Sequence, residues 1–226
     1  MAACYLAARG ETAGDITSLK QYVERMRDDQ KDIYYITGDK LSSLLNSPHL
    51  ERLKAKNFEV LLMTDPVDEW VVQSLTEYDG KPLKSAEKGD LAIDDEDAKA
   101  QEEQYKDLFG FIRKTLQDEI KEVKPSSRLL DSVACLSGDD GDMSGYMEKI
   151  LKSTGQKVPE SKRVLEVNME HPVMDKINSM FEADKNDPLL KDYIQLLLDL
   201  ATIGEGGKVS DPSTFSKMVG TLMAEK

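Results

Sequence analysis

IYYITGDKLSSLLNSPHLERLKAKNFEVLLM, residues 33–63, decides the class of fold. Ile33–Thr37 (IYYIT) is rich in β-branched and aromatic residues and reads as a strand. Phe58–Met63 (FEVLLM) reads as a second, apolar strand. Between them Leu41–Leu45 and His49–Lys56 are helical pieces, parted by Asn46, Ser47 and Pro48. Strand, helix, strand in so short a span predicts parallel pairing through a helical crossover.

Upstream, Ser18–Arg27 reads as a short amphipathic helix with Leu19, Val23 and Met26 on one face. The opening MAACYLAARG offers no clear beginning to a core and suits a chain cut from something larger. Downstream, Asp68–Leu75 (DEWVVQSL) is another short helix. These pieces predict a small α/β layer over about Gly14–Leu83. Lys84–Ile93 is polar, contains Gly89 and reads as a linker. Asp94–Asp107 carries seven acids and two lysines. Acids suit the positive end of a helix dipole, so a helix is expected from here to about Glu119.

The second half reads as a three-stranded sheet with helices. Two strands and their connection fall in Glu122–Leu136, and a third strand in Arg163–Asn168 (RVLEVN). Ser137–Gly141 (SGDDG) is a loop before a short helix over Asp142–Lys152. Pro172–Phe181, Leu189–Ile203 and Pro212–Met223 complete the set as helices. The fold class is therefore α+β, ending in a helical hairpin.

That hairpin raises the question of burial. Leu189, Leu190, Tyr193, Ile194, Leu196, Leu197, Leu198 and Leu200 cover more than one face of their helix, which demands burial on more than one side. Phe215, Met218, Val219, Leu222 and Met223 form one stripe on the next. The two helices either pack on the preceding sheet or build a four-helix bundle with a second copy across a two-fold axis. Two further features admit two readings each. Met143, Met147, Ile150 and Leu151, with Tyr146 beside them, are either a core face or an adaptable docking face, since methionine fits many apolar partners. Trp70, the one tryptophan, either closes the small layer or anchors a partner.

Composition excludes several classes. The 226 residues are 39 % hydrophobic and 32 % charged, with a net charge of −13. No lysine and arginine cluster suited to phosphates is present, so nucleic acid and acidic membrane surfaces are not expected partners. Cys4 and Cys135 form no CxxC, which argues for a reducing, cytoplasmic setting. Met1–Ala8 is too short and uncharged to read as a signal peptide. Gly204–Ser210 (GEGGKVS) has Val209 where a phosphate loop needs Ser or Thr. Asp140–Gly145 (DGDMSG) begins like a calcium loop, but Leu151 stands where a bidentate Glu belongs. His49 and His171 are isolated, so no zinc site is expected. No nucleophile elbow occurs, and no enzyme site with convergent polar groups can be assembled.

Several blocks carry a resemblance. Ser18–Gly38 (SLKQYVERMRDDQKDIYYITG), Ser47–Leu50 (SPHL), Phe58–Asp65 (FEVLLMTD), Asp68–Trp70 (DEW) and Tyr78–Lys81 (YDGK) resemble the end of the middle domain of the 90-kDa heat-shock chaperones. Gly155–Glu160 (GQKVPE), Leu165–His171 (LEVNMEH) and the leucine-rich hairpin resemble their C-terminal domain, most closely that of the bacterial HtpG type. The resemblance implies that residues 1–88 are the C-terminal part of the middle domain and 89–226 the C-terminal dimerisation domain. It implies a molecular chaperone fragment of the stress response that homodimerises and binds partly folded client proteins.

ATP and Mg would belong to an N-terminal domain of the parent, leaving no cofactor and no catalytic residue here. Carried over by position, Glu69, Trp70 and Gln73 are expected to contact clients from the middle domain. Met143, Tyr146, Met147, Ile150 and Leu151 are expected to do so from the C-terminal domain; the family tends to an aromatic residue where Leu151 stands. Leu189, Tyr193, Ile194, Leu196, Leu197, Leu200, Phe215, Met218, Val219, Leu222 and Met223 are expected at the dimer interface. The end at Lys226 lacks the acidic tail of eukaryotic members, so no docking of tetratricopeptide co-chaperones is expected there. The competing class is a purely structural dimerisation module without client affinity.

Overall fold

The computed structural model describes residues 4–9, 12–91, 95–158 and 161–224. By packing, the chain forms two compact units. One is Met1–Leu91 with Gly138–Ser161, the other Ala92–Ser137 with Lys162–Lys226. The division at 88/89 drawn from the resemblance is one of family likeness. The packing adds that Gly138–Ser161 belongs with the first unit.

The first unit opens with strands β1 (Cys4–Arg9) and β2 (Thr12–Ser18), then helix α1 (Leu19–Glu24) and strand β3 (Ile33–Thr37). Helix α2 (Leu41–Leu45), a 3-10 turn (Pro48–Leu50) and α3 (Glu51–Ala55) lead to β4 (Val60–Met63). Helix α4 (Asp68–Ser74) and strands β5 (Glu77–Tyr78) and β6 (Lys81–Ser85) follow. The sheet order is β2-β1-β4-β3-β6-β5. β3 and β4 are parallel, with Tyr34 opposite Val60 and Thr37 opposite Met63, as the crossover predicts. Every residue of both strands is buried, which is why each reads as an unbroken apolar run.

Two expectations are corrected here. The layer is a six-stranded sheet rather than a small strand-helix-strand unit, because β1 and β2 precede it as an antiparallel hairpin and β1 pairs with β4. Ala7 and Ala8 of β1 are buried, and their small side chains give no apolar alternation to read. The expected linker at Lys84–Ile93 is also partly structural. Leu83, Lys84 and Ser85 of β6 pair with Ile33, Tyr34 and Tyr35 of β3, and Ala86 and Leu91 are fully buried. Asp79 and Gly80, with φ of 51° and 71°, make the turn between β5 and β6, the backbone that a two-residue Asp-Gly hairpin requires.

Ser18 caps α1 through a reciprocal pair with Gln21. This fixes the helix so that Tyr22 is buried. The Tyr22 hydroxyl donates to the Glu59 carbonyl and accepts from Tyr34 N–H (3.1 Å) and Gln30 Nε2 (2.7 Å). It ties α1 to the starts of β3 and β4. Burial pushes its phenol pKa well up, so the hydroxyl remains a donor. Arg25, just past α1, donates to the Glu59 carboxylate and to Thr17 Oγ1 (2.8 Å).

Along the chain come α5 (Asp95–Gln104), α6 (Lys106–Thr115), β7 (Ile120–Pro125) and β8 (Ala134–Ser137) of the second unit. The one long helix expected from Asp94 is two, broken at Tyr105, and Asp94 itself lies outside the described residues. The chain then enters the first unit with α7 (Gly145–Ser153). It returns to the second with β9 (Arg163–Val167), α8 (Pro172–Ala183), α9 (Pro188–Gly204) and α10 (Pro212–Ala224). The three-stranded sheet is β7-β9-β8, with β9 parallel to β7 and antiparallel to β8. One core cluster joins it to the helices through Leu108 and Ile112 of α6, Leu165 of β9, Ile177 of α8 and Ile194 of α9, among others.

Inside this unit lies a buried ion pair. Arg128 and Glu166 are both fully buried, with Nε donating to Oε2 at 2.9 Å. Ser126 Oγ donates to the same oxygen (2.8 Å), and Lys124 Nζ lies 3.7 Å from Oε1. Burial pushes the Glu166 carboxyl up. The Arg128 and Lys124 charges, with the Ser137 and Ser126 hydroxyls, outweigh it and hold the pKa below the ordinary glutamate value.

Candidate functional site

In the first unit, Glu69, Trp70 and Gln73 lie on α4, Tyr146, Met147, Ile150 and Leu151 on α7, and Met143 just before α7. Asp68 opens α4, and its carboxylate accepts from the backbone N–H of Asp65 (3.1 Å). Burial pushes the Asp68 pKa up. Trp70 is 47 % exposed and Gln73 is exposed, so this face of α4 is open. Trp70 therefore does not close the layer. Glu69 differs from both: only 2 % of it is exposed, and its Oε1 accepts from Ser144 Oγ at 2.6 Å.

Ser144 was not singled out from the sequence. It is the N-cap of α7, since its Oγ also accepts from the Met147 N–H (2.9 Å). A serine just before the apolar-periodic residues Tyr146, Met147, Ile150 and Leu151 is the helix-start signal that would have marked the cap. Its bond to a residue 75 positions earlier leaves no trace in the sequence. On α7, Met147 is buried (7 % exposed), whereas Tyr146, Ile150 and Leu151 are half-buried, as is Met143 just before the helix. The helix is thus neither a full core face nor a free one. The Tyr146 hydroxyl donates to the Thr64 carbonyl (3.2 Å). Burial and the negative charges of Asp39, Glu69, Asp65 and Asp68 push its phenol pKa up. A separate cleft of about 470 Å³, lined by Lys20, Val23, Glu24, Tyr78 and Asp79, contains none of the expected residues.

In the second unit, the residues expected at the dimer interface divide in two. Tyr193, Ile194, Leu196 and Leu197 of α9 are buried within their own chain. Three of them join the core with the sheet and α8, and Lys176 Nζ sits 4.7 Å from the centre of the Tyr193 ring. α9 lies against α6, α8 and β8 of its own chain, which accounts for the cover of Tyr193, Ile194 and Leu197. Leu189 is half-buried against the same core.

The remaining side chains are less covered, although Leu222 packs against the core. Leu200 and Ile203 of α9 are 44 % and 45 % exposed. On α10, among the described residues, none is buried. Phe215, Met218, Val219 and Leu222 are half-buried and Met223 is 82 % exposed. Of the two acids of α9, Asp192 is exposed and Asp199 is buried; burial pushes the Asp199 pKa up although Gln195 donates to it (3.4 Å).

Among the described residues, no group of three or more His, Cys, Asp and Glu side chains converges as a metal site. His171 instead caps α8, its Nδ1 accepting from the Val173 N–H (3.2 Å). No helix among these residues is long and apolar enough to cross a membrane.

Comparisons with known proteins agree with the resemblance read from the sequence. The family model described as Hsp90 protein matches residues 6–226. The chaperone protein HtpG of Geobacter metallireducens is 48 % identical over 219 residues, covering 93 % of this chain and 34 % of that protein. HtpG of Geobacter sulfurreducens is 46 % identical with the same coverage. HtpG of Burkholderia cenocepacia is 42 % identical over 228 residues, covering 98 % of this chain and 35 % of its own length. The chain thus spans about a third of the length of the curated relatives it matches. With the family model matched over almost its whole length, and the HtpG likeness borne out by these relatives, the chain belongs to the Hsp90 protein family.

Proposed function

We propose that this chain is the self-associating, client-contacting part of an HtpG-type molecular chaperone. In this reading residues 1–88 are the end of the middle domain and 89–226 the C-terminal dimerisation domain. ATP and Mg act in a part of the parent outside the matched third, so the chain itself performs no catalysis, and it works in the cytoplasm.

The observation that carries the reading is α10. Its apolar stripe has no buried member, and Leu200 and Ile203 add to the uncovered surface. Fully burying a large apolar side chain contributes about 1.5–3 kcal/mol, so a second copy set against this stripe gains several such terms. Two α9–α10 hairpins then form a four-helix bundle. Pairing also places two client-contacting faces in one particle. Each face contributes weakly, and the second acts at the effective concentration set by the first. Trp70 and Gln73 on α4, with the half-buried Tyr146, Ile150 and Leu151 on α7 and Met143 just before it, supply adaptable contacts for partly folded polypeptides.

A second reading, a structural dimerisation module alone, is favoured by the burial of Glu69 and Met147. Anisotropy titration of a labelled, permanently unfolded protein against the chain and its Trp70→Ala variant separates the two. Client contact requires binding by the native chain and a several-fold loss in the variant, with thermal stability little changed because Trp70 is half-exposed. Equal affinities, or none, leave only the structural module.

A further inference from the structure

We propose that Gly138–Val158 is a displaceable strap which, latched by Ser144 on Glu69, withholds part of the client-contacting face from polypeptide. This rests on the client-contacting reading above.

The strap has a firm root and a light grip beyond it. At the root, Gly138 N–H donates to the Glu87 carbonyl (3.1 Å) and Gly89 N–H to the Gly138 carbonyl (2.9 Å). Gly89 has φ +59°, and a Cβ there would lie 1.9 Å from Asp140 Oδ1, so the two strands of chain approach as closely as glycine permits. Beyond the root, the contacts that hold α7 include the Ser144–Glu69 bond, the Tyr146–Thr64 bond and the burial of Met147. One buried side chain on a nine-residue helix is a small apolar hold. The return limb, residues 152–157, is exposed throughout. A segment with few buried contacts and an exposed limb belongs to the low-stability end of a fold, where local opening occurs.

The two groups that docking hides are both expected at client contacts. Glu69 is a buried carboxylate whose charge is met by a hydroxyl from the strap, and Met147 is the most covered side chain of the methionine face. Lifting α7 returns the Glu69 carboxylate to water and uncovers Met147 in one motion. The neighbouring Asp65 and Asp68 make the ground beneath α7 negative, so the latch depends on Ser144 presenting a donor rather than a charge.

Substitutions at Ser144 test this in the full 226-residue chain. Ser144→Asp keeps an N-cap acceptor for α7 but sets a carboxylate against Glu69. Ser144→Asn keeps both the cap and a donor. Hydrogen exchange is followed across Gly145–Ser153, and affinity is measured for a reduced, carboxymethylated unfolded protein. Ser144→Asp is expected to speed α7 exchange about tenfold or more, the scale of losing a hydrogen bond to a charged group, and to tighten probe binding several-fold. Ser144→Asn is expected to change neither. Ser144→Gly, which removes the hydroxyl without adding charge, is expected to move both readouts as Ser144→Asp does, even should the aspartate unfold the unit. Unchanged α7 exchange in Ser144→Asp and Ser144→Gly overturns the latch. Faster exchange with unchanged or weaker binding overturns the withholding role while leaving client contact intact. Absence of binding by the native chain and every variant overturns client contact itself.

Discussion

Replacing Arg128 by methionine is expected to cost the second unit about 3–5 kcal/mol, the scale of stranding one member of a buried ion pair. The lower end applies because Lys124 remains 3.7 Å from Glu166 Oε1 and Ser126 still donates to Oε2. With a urea slope of about 1–3 kcal/mol per molar, the midpoint falls by about 1–3 M. Circular dichroism reads the transition, and hydrogen exchange across Val164–Val167 locates it to β9.

The pH dependence gives the sharper test. In the native chain the Glu166 pKa is depressed in the folded state. Its contribution is therefore present above the unfolded value of about 4.3 and is lost as pH falls through the lower folded value. Without Arg128, burial prevails and the folded pKa rises above the unfolded one. The carboxylate then destabilises at neutral pH, and the penalty fades as it takes up a proton. The gap between the native and Arg128→Met midpoints must narrow on going from pH 7 towards pH 4.5, and adding Glu166→Gln to the variant must recover most of the loss at pH 7. A loss below about 1 kcal/mol, or a gap that does not change with pH, refutes the assignment of Arg128 as the counter-charge of a buried carboxylate.

Two further outcomes are expected. Tyr22→Phe removes the acceptor of the buried Tyr34 N–H and the donor to the Glu59 carbonyl, so it should cost the first unit about 1–3 kcal/mol, read by Trp70 fluorescence in urea; a loss within error means the strand starts are held without the hydroxyl. Leu200→Glu with Met223→Glu alters side chains that are largely outside the chain's own core. Each change should leave the stability of a single chain within about 0.5 kcal/mol while breaking self-association in sedimentation velocity; a folded, still-paired double variant places the interface elsewhere.

Legibility in the sequence followed how each residue is covered. β3 and β4 were plain because strands buried on both faces become unbroken apolar runs. β1 was missed because its buried positions Ala7 and Ala8 carry small side chains that leave no apolar alternation to read. The Asp79–Gly80 turn was a readable hairpin signal, but Pro82 within β6 and the lysines on either side of Leu83 masked the strand as a polar connection. On α9 the pattern reported correctly that several faces are buried, yet a pattern names no partner. Tyr193, Ile194, Leu196 and Leu197 found cover in their own chain, while the single stripe of α10, which looked the less demanding helix, has no buried member among the described residues. At the α4–α7 site the sequence supplied Trp70 and the methionine face. It could not supply Ser144, whose importance comes from a carboxylate distant along the chain.

Light scattering on the native chain at micromolar concentration asks most directly whether the α10 stripe takes a second copy. The expected mass is twice the 25.3 kDa of one chain, falling towards 25.3 kDa when Leu200 and Met223 are both replaced by glutamate. A native chain that stays at 25.3 kDa across that range contradicts the account.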